Sequence, residues 1–159
     1  SQLEDLVSQT EGVVIANDNS SYQVVLSGTP EAVNQVSSKL SCKRAIPLSV
    51  SGAFHSPFME EAAKAFSEAL DQVIFRNARI PVLSNSDPTP SCDPELLKHR
   101  LKQQMTTGVR WRETMDELAR NGIRTVVEIG PGNVLSGLVK RSLEGVSTNQ
   151  LSSANDLGN

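Results

Sequence analysis

His55 is the residue whose type and setting best suit proton transfer. It stands in the run Ser51-Gly52-Ala53-Phe54-His55-Ser56-Pro57-Phe58-Met59, where a loop leads into a helix start and a rigid base exposes the side chain. Imidazole titrates near neutral pH, so a histidine here can take a proton from a hydroxyl nucleophile and return it to a leaving thiol. Taken alone, a structural histidine beside a helix start is the plainer account. The nucleophile that such a base would serve is absent. Acyl transfer through serine commonly uses Gly-x-Ser-x-Gly on a strand-to-helix elbow, and Ser27-Gly28 and Ser136-Gly137 both lack the glycine two residues upstream of the serine. Cys42 and Cys92 read as buried or incidental rather than as reactive thiolates. With no Cys-x-x-Cys pattern and only His55 and His99 beside them, no metal cage is expected. Gly130-Pro131-Gly132 joins a strand to a helix but lacks the Gly-x-Gly-x-x-Gly spacing and a lysine, so it reads as a tight structural turn.

The totals narrow the setting. A chain of 159 residues with 38% hydrophobic content suffices for one compact domain or two small subdomains. Fifteen basic and 18 acidic residues leave a net charge of −3, which suggests neither a nucleic-acid footprint nor an electrostatic membrane anchor. No apolar run approaches the ~20 residues that cross a bilayer, and no leader pattern is visible. A reducing, cytoplasm-like compartment is the expectation.

The elements that must position His55 follow from periodicity. A short amphipathic helix is predicted over residues 2–9, with Leu3, Leu6 and Val7 on one face. Residues 13–15 and 23–26 read as a hairpin around polar turn residues, and Thr29 and Pro30 open a helix carrying Val33, Val36 and Leu40. Residues 45–50 read as a strand at an edge, since Pro47 lacks a donor. The resulting α-β-β-α-β order matches a ferredoxin-like unit whose first strand is missing, which points to an absent upstream portion. Ser56-Pro57 and Asp93-Pro94 each open a helix, the first carrying Met59, Phe66, Leu70 and Val73, the second Leu97, Leu101 and Met105. Between them, residues 80–84 read as a short strand. Another helix is predicted from about Val109, with Trp111, Met115 and Leu118 inward and Gly122 as its cap. Residues 124–129 read as a buried parallel strand leading into a last helix, and after Gly145 a frayed tail is expected.

Several blocks together resemble one family. Gly52 to Met59 is similar to the histidine motif of bacterial malonyl-CoA:acyl-carrier-protein transacylases and of the acyltransferase domains of fatty-acid and polyketide synthases. The same likeness extends through Ala16-Asn17-Asp18-Asn19, Gln23 to Gly28, Ile80 to Asn85, Gln103-Gln104-Met105 with Val109-Arg110-Trp111, and Glu128 to Leu135. They stand in the family's order over about residues 1–143. The family's N-terminal region, with its nucleophile elbow, has no counterpart here.

The resemblance implies an α/β fold: a ferredoxin-like small subdomain over residues 1–50, the C-terminal part of a hydrolase-like α/β subdomain over residues 51–144, and a flexible tail over residues 145–159. It implies malonyl transfer from coenzyme A to the phosphopantetheine thiol of acyl carrier protein through an acyl-serine, in fatty-acid biosynthesis, with no cofactor. His55 would be base and then acid, and the backbone carbonyl of Arg110 would orient its other ring nitrogen. Asn17, Asn19 and Gln23 occupy the family's small-subdomain positions facing the active-site gorge, although turn and strand-end hydrogen bonding accounts equally well for them; Asn85 braces the loop near the active site or, the preferred reading, only supplies a turn. Phe54 corresponds to the variant that selects malonyl over methylmalonyl, since a ring leaves less room for an α-methyl group. Carrier proteins are acidic, so the clusters Lys98, Arg100, Lys102 and Lys140, Arg141 are candidate docking surfaces, with a solvated helix face as the ordinary alternative. The chain alone would be inactive, its partners being malonyl-CoA, the carrier protein and the missing N-terminal half. A polyketide-synthase acyltransferase domain and a noncatalytic ferredoxin-like binding module are the rival readings.

Overall fold

The computed structural model describes residues 1–157, which form two compact units divided after Arg110. The first contains α1 (Gln2–Ser8), β1 (Val13–Ser20), β2 (Gln23–Gly28), α2 (Pro30–Lys39), α3 (Glu60–Asp71) and α4 (Pro94–Gln103). The second contains α5 (Trp111–Arg120), β3 (Thr125–Ile129), α6 (Val134–Ser142), β4 (Ser147–Leu151) and a 3-10 turn at Ala154–Leu157. The α/β class expected from the sequence is present, built on two small two-stranded sheets. No helix among the described residues is long and apolar enough to cross a membrane.

Local chemistry starts the first unit. Ser1 and Glu4 form a reciprocal capping box on α1, and the Thr29 hydroxyl accepts from the Ala32 amide ahead of Pro30 at the first helical position of α2. The helices bring Leu3, Leu6, Val7 and Val33 against a core of Val13, Ala32 and Val36 beside the antiparallel β1–β2 hairpin. Gly28 tolerates no side chain, because a Cβ there would lie 2.0 Å from the Gly12 carbonyl oxygen.

The β1–β2 register shifts twice, between Ile15 and Asn17 and between Asp18 and Ser20. Such bulges release backbone groups from the ladder. Here the Ala16 carbonyl accepts from the Val109 amide at 2.7 Å, and the Asp18 amide donates to the Val109 carbonyl at 2.9 Å. Gly108 makes this docking possible, since a Cβ would lie 2.8 Å from the Ile15 carbonyl oxygen.

Three expected elements differ. Residues 45–50 form no strand: Ile46, Leu48 and Val50 alternate as strand residues do, yet all three are exposed and the segment gains no ladder. Propensity supplied the pattern, but no neighbouring strand among the described residues supplies the hydrogen bonds. Residues 80–84 contribute only the Val82–Ser91 bridge, where a turn closes the segment before a strand can lengthen. Residues 147–151, expected to fray, pair with β3 as β4 in parallel register from Thr125–Ser147 to Ile129–Leu151. Residues 158 and 159 of that expected tail lie outside the described residues.

The helices α3 and α4 are laced by long cations. Lys102 Nζ meets Asp71 Oδ1 at 2.5 Å, and Lys98 Nζ donates to the Val73 carbonyl at 3.0 Å while lying 5.7 Å from the centre of the Phe75 ring. Helix α4 itself starts as its sequence predicts, with the Asp93 carboxylate accepting from the Leu96 amide ahead of Pro94.

In the second unit, α5 ends in a Schellman motif. Gly122, at φ 66°, donates to the Ala119 carbonyl, and the Ile123 amide reaches back to the Leu118 carbonyl. Met115, Leu138 and Val139 are its buried apolar residues. The strand β3 is parallel as expected but not covered on both faces, with Ile129 81% exposed. Glu128 joins β3 to α6 by accepting from the Leu135 amide at 3.0 Å and the Ser136 amide at 2.8 Å. These donors at a helix N-terminus hold its carboxyl below the ordinary 4.5, the Ser136 hydroxyl and amide foremost.

Two outcomes are expected. Gly108→Ala should cost the first unit about 2 kcal/mol through forced displacement. Urea unfolding followed by circular dichroism measures it, and hydrogen exchange should find the Val109 amide less protected. A carboxyl depressed in the fold stabilises above its unfolded pKa and loses that contribution as pH falls through the folded value. Glu128→Gln should therefore lose less stability than the parent as pH falls from neutral through the carboxylate range, as read from denaturation midpoints.

Candidate active site

The segment before α3 aims His55. Ser56 is fully buried; its hydroxyl donates to the Ala53 carbonyl at 2.5 Å and accepts from the Phe58 amide at 3.3 Å, capping the 3-10 turn Pro57–Met59. Those bonds turn the chain so sharply that His55 takes φ 58°, the only positive value at a non-glycine residue among those described. Left-handed backbone costs an L-residue about 1 kcal/mol, and such strain persists where surrounding bonds over-determine it.

The half-buried imidazole places Nδ1 2.7 Å from the carbonyl oxygen of Gln104. A carbonyl only accepts, so Nδ1 carries the proton of the neutral ring and Nε2 keeps its lone pair. This corrects the expectation that Arg110 provides the orienting carbonyl. The Arg110 amide instead donates to the Asn85 carbonyl at 2.8 Å, and its guanidinium Nη1 donates to the Ser86 carbonyl at 3.4 Å. Helix geometry gives the reason. The last carbonyls of a helix have no amide one turn ahead. Gln103's carbonyl is taken by the Thr106 and Thr107 amides, whereas that of Gln104, the C-cap of α4, meets the ring.

Phe54, His55, Met59, Gln104 and Met105 line a concavity of about 130 Å³. Its walls are two thioethers and an aromatic ring around one basic nitrogen. A larger open groove of about 820 Å³, whose lining includes Glu60, Lys64, His99 and Lys102, has charged and solvated walls and includes none of the candidate catalytic or substrate-binding residues.

The other candidates are placed as follows. Asn17 pairs with Val25 and bridges to Val109, and Asn19 lies within the second register shift of β1. The β1 docking and the imidazole thus hold two ends of one segment, at Val109 and Gln104. Gln23 opens β2 opposite Ser20 and is exposed. Asn85 acts on the site through its backbone carbonyl. Of the basic clusters, Lys98 and Lys102 are engaged with α3 and the chain after it, and Arg100 is buried. Lys140 and Arg141 lie exposed in the last turn of α6 in the second unit. Cys42 is exposed and Cys92 partly so, both unpaired by disulfide. Sequence reasoning missed the roles of Gln104 and Gly108. The run Gln103-Gln104-Met105 marked the neighbourhood, but a backbone acceptor leaves no side-chain signature.

A family model described as acyl transferase domain matches residues 2–158. The chain is 44% identical over 156 residues to a protein named malonyl CoA-acyl carrier protein transacylase in Synechocystis, covering 98% of this chain and 53% of the relative. A protein of the same name in Bacillus subtilis strain 168 is 40% identical over 144 residues, with 88% and 45% covered. The crystal structure of the Synechocystis malonyl-CoA:ACP transacylase superposes with a TM-score of 0.92 at 44% identity, over 98% of this chain and 53% of that one. A malonyl-transacylase in complex with a type II polyketide acyl-carrier protein superposes at 0.86 with 32% identity, over 98% and 51%. The chain spans about half the length of the curated relatives it matches. With residues 2–158 matched, the chain belongs to the acyl transferase domain family.

Proposed function

We propose that the complete protein moves a malonyl group from coenzyme A to the phosphopantetheine thiol of acyl carrier protein in fatty-acid biosynthesis, and that this chain supplies the base. The observation that carries the reading is the Nδ1 bond to Gln104, which leaves Nε2 as the basic atom of a ring held on a strained backbone. A serine outside this chain attacks the malonyl thioester carbonyl. Nε2 takes the hydroxyl proton as the acyl-oxygen bond forms, then delivers it to the departing coenzyme A thiolate. In the second half, Nε2 takes the proton of the pantetheine thiol, sulfur attacks the acyl-serine ester, and the proton returns to the serine oxygen. Gln104 does the orienting that a carboxylate does in other triads.

In this reading, residues 1–50 are a ferredoxin-like small subdomain and residues 51–144 part of a hydrolase-like α/β subdomain, both completed by the other half of the protein. Phe54, 47% exposed beside His55, restricts the space for an α-methyl group and favours malonyl. Asn17, Asn19, Gln23 and Asn85 border the gorge. Lys140 and Arg141 receive the acidic carrier protein. The exposure of both residues supports this, as does the engagement of Lys98, Arg100 and Lys102 elsewhere.

Intact-mass measurement after incubation with malonyl-CoA should find no covalent adduct on this chain alone, and an adduct once the serine-bearing half is supplied. In the complete enzyme His55→Ala should lower transfer by about a thousandfold or more; retained transfer would sink the assignment. Charge reversal at Lys140 and Arg141 should raise the KM for carrier protein while leaving that for malonyl-CoA unchanged, and an unaltered carrier KM would remove the docking surface.

A further inference from the structure

Acyl transfer as described makes no use of Arg100, the charged residue that is buried among those described, at 4% exposure. Its guanidinium is nonetheless directed through its two terminal nitrogens, while the buried Nε has no hydrogen-bond partner. Nη2 donates to Asp87 Oδ2 at 2.6 Å and Nη1 to the Thr89 carbonyl at 2.7 Å. The backbone carbonyl of the same residue accepts from the Ser86 hydroxyl at 3.2 Å and from the Gln104 amide at 3.1 Å. The loop over residues 86–89 therefore grips one residue twice, by side chain and by main chain, and that residue lies one helical turn before Gln104.

The loop is itself stiff. Asp87 accepts from the Thr89 amide at 2.9 Å, its own carbonyl accepts from the Ser84 amide at 3.1 Å, and the adjacent Asn85 carbonyl holds the Arg110 amide. It thus braces both ends of the 104–110 segment, at the last turn of α4 and at Arg110.

An ion pair whose carboxylate is partly exposed, as the Asp87 side chain is at 36%, is a poor device for stability alone, because solvent screens the attraction. What a guanidinium fork adds is direction, since two coplanar donors fix two acceptors at once. We propose that Arg100 is a positioning residue for His55: with Asp87 and Ser86 it sets the last turn of α4 so that the Gln104 carbonyl meets Nδ1 and Nε2 remains the basic atom. This rests on the reading of His55 as the proton carrier.

The test uses Arg100→Lys, which keeps the charge but cannot hold Asp87 and Thr89 together, and Ser86→Ala, which leaves the fork and removes only the hydroxyl bond. Nitrogen-15 NMR of this chain reads the tautomer of His55, and kinetics of the complete enzyme separate kcat from KM. The parent should hold the Nδ1–H tautomer. Arg100→Lys should raise the Nε2–H fraction and lower kcat about tenfold, with the KM for malonyl-CoA nearly unchanged. Ser86→Ala, the milder change for folding, should move both readouts in the same direction by less. Variants that unfold at lower urea but keep the parent tautomer and kcat would overturn the proposal and leave Arg100 a purely structural residue. His55→Ala separates the two failures: transfer that survives it refutes the base, whereas transfer lost with it but untouched by Arg100→Lys and Ser86→Ala refutes only the positioning.

Discussion

Two hydrogen bonds between β1 and Val109 hold the first unit's site together. The register shifts that expose the Ala16 carbonyl and the Asp18 amide look, in the hairpin alone, like lost ladder bonds. They are recovered by the chain near residue 109, which returns after α3 and α4 and closes onto the strand. That closure requires a glycine at 108, because backbone approaches backbone there too nearly for any side chain. Once Val109 is fixed, the five residues back to Gln104 have little freedom, and the Gln104 carbonyl is presented to the imidazole. An irregularity in one strand thereby locates a proton on a ring contributed by a loop distant in sequence.

The electrostatics divide the same way. Charges that do mechanical work are paired and directional: Arg100 with Asp87, Lys102 with Asp71, and Glu128 with the amides that open α6. Asp87 is held below its ordinary range first by the Thr89 amide and hydroxyl and then by the Arg100 guanidinium. The concavity around His55, by contrast, is walled by Phe54, Met59 and Met105, groups that exclude water without competing for the proton.

Much of this was legible in the sequence where the determinant is local. Thr29-Pro30, Ser56-Pro57 and Asp93-Pro94 announced their helix starts because capping is a matter of adjacent residues. Gly122 announced its helix end for the same reason, and the histidine motif marked His55. What failed was non-local. Strand formation needs a partner, so residues 45–50 carry a strand's alternation without its ladder, while residues 147–151, polar and unpromising, become β4 because β3 lies alongside. The assignment of the orienting carbonyl to Arg110 failed for a related reason. Every residue has a carbonyl, so only the path of the chain decides which one meets the ring, and that path turns at the end of α4.

Using a carbonyl for this purpose has an inherited consequence. A triad carboxylate is encoded by one codon and is lost with it, whereas the acceptor at position 104 survives any exchange of the glutamine side chain that leaves the backbone in place. Changes in chain length are a different matter. One residue inserted or deleted between Arg100 and Gln104 would turn the acceptor by about 100° around the helix axis, and one between Gln104 and Gly108 would unseat Val109 from β1. The arrangement therefore leaves the side chain at 104 free to vary and ties the count of residues from 100 to 109.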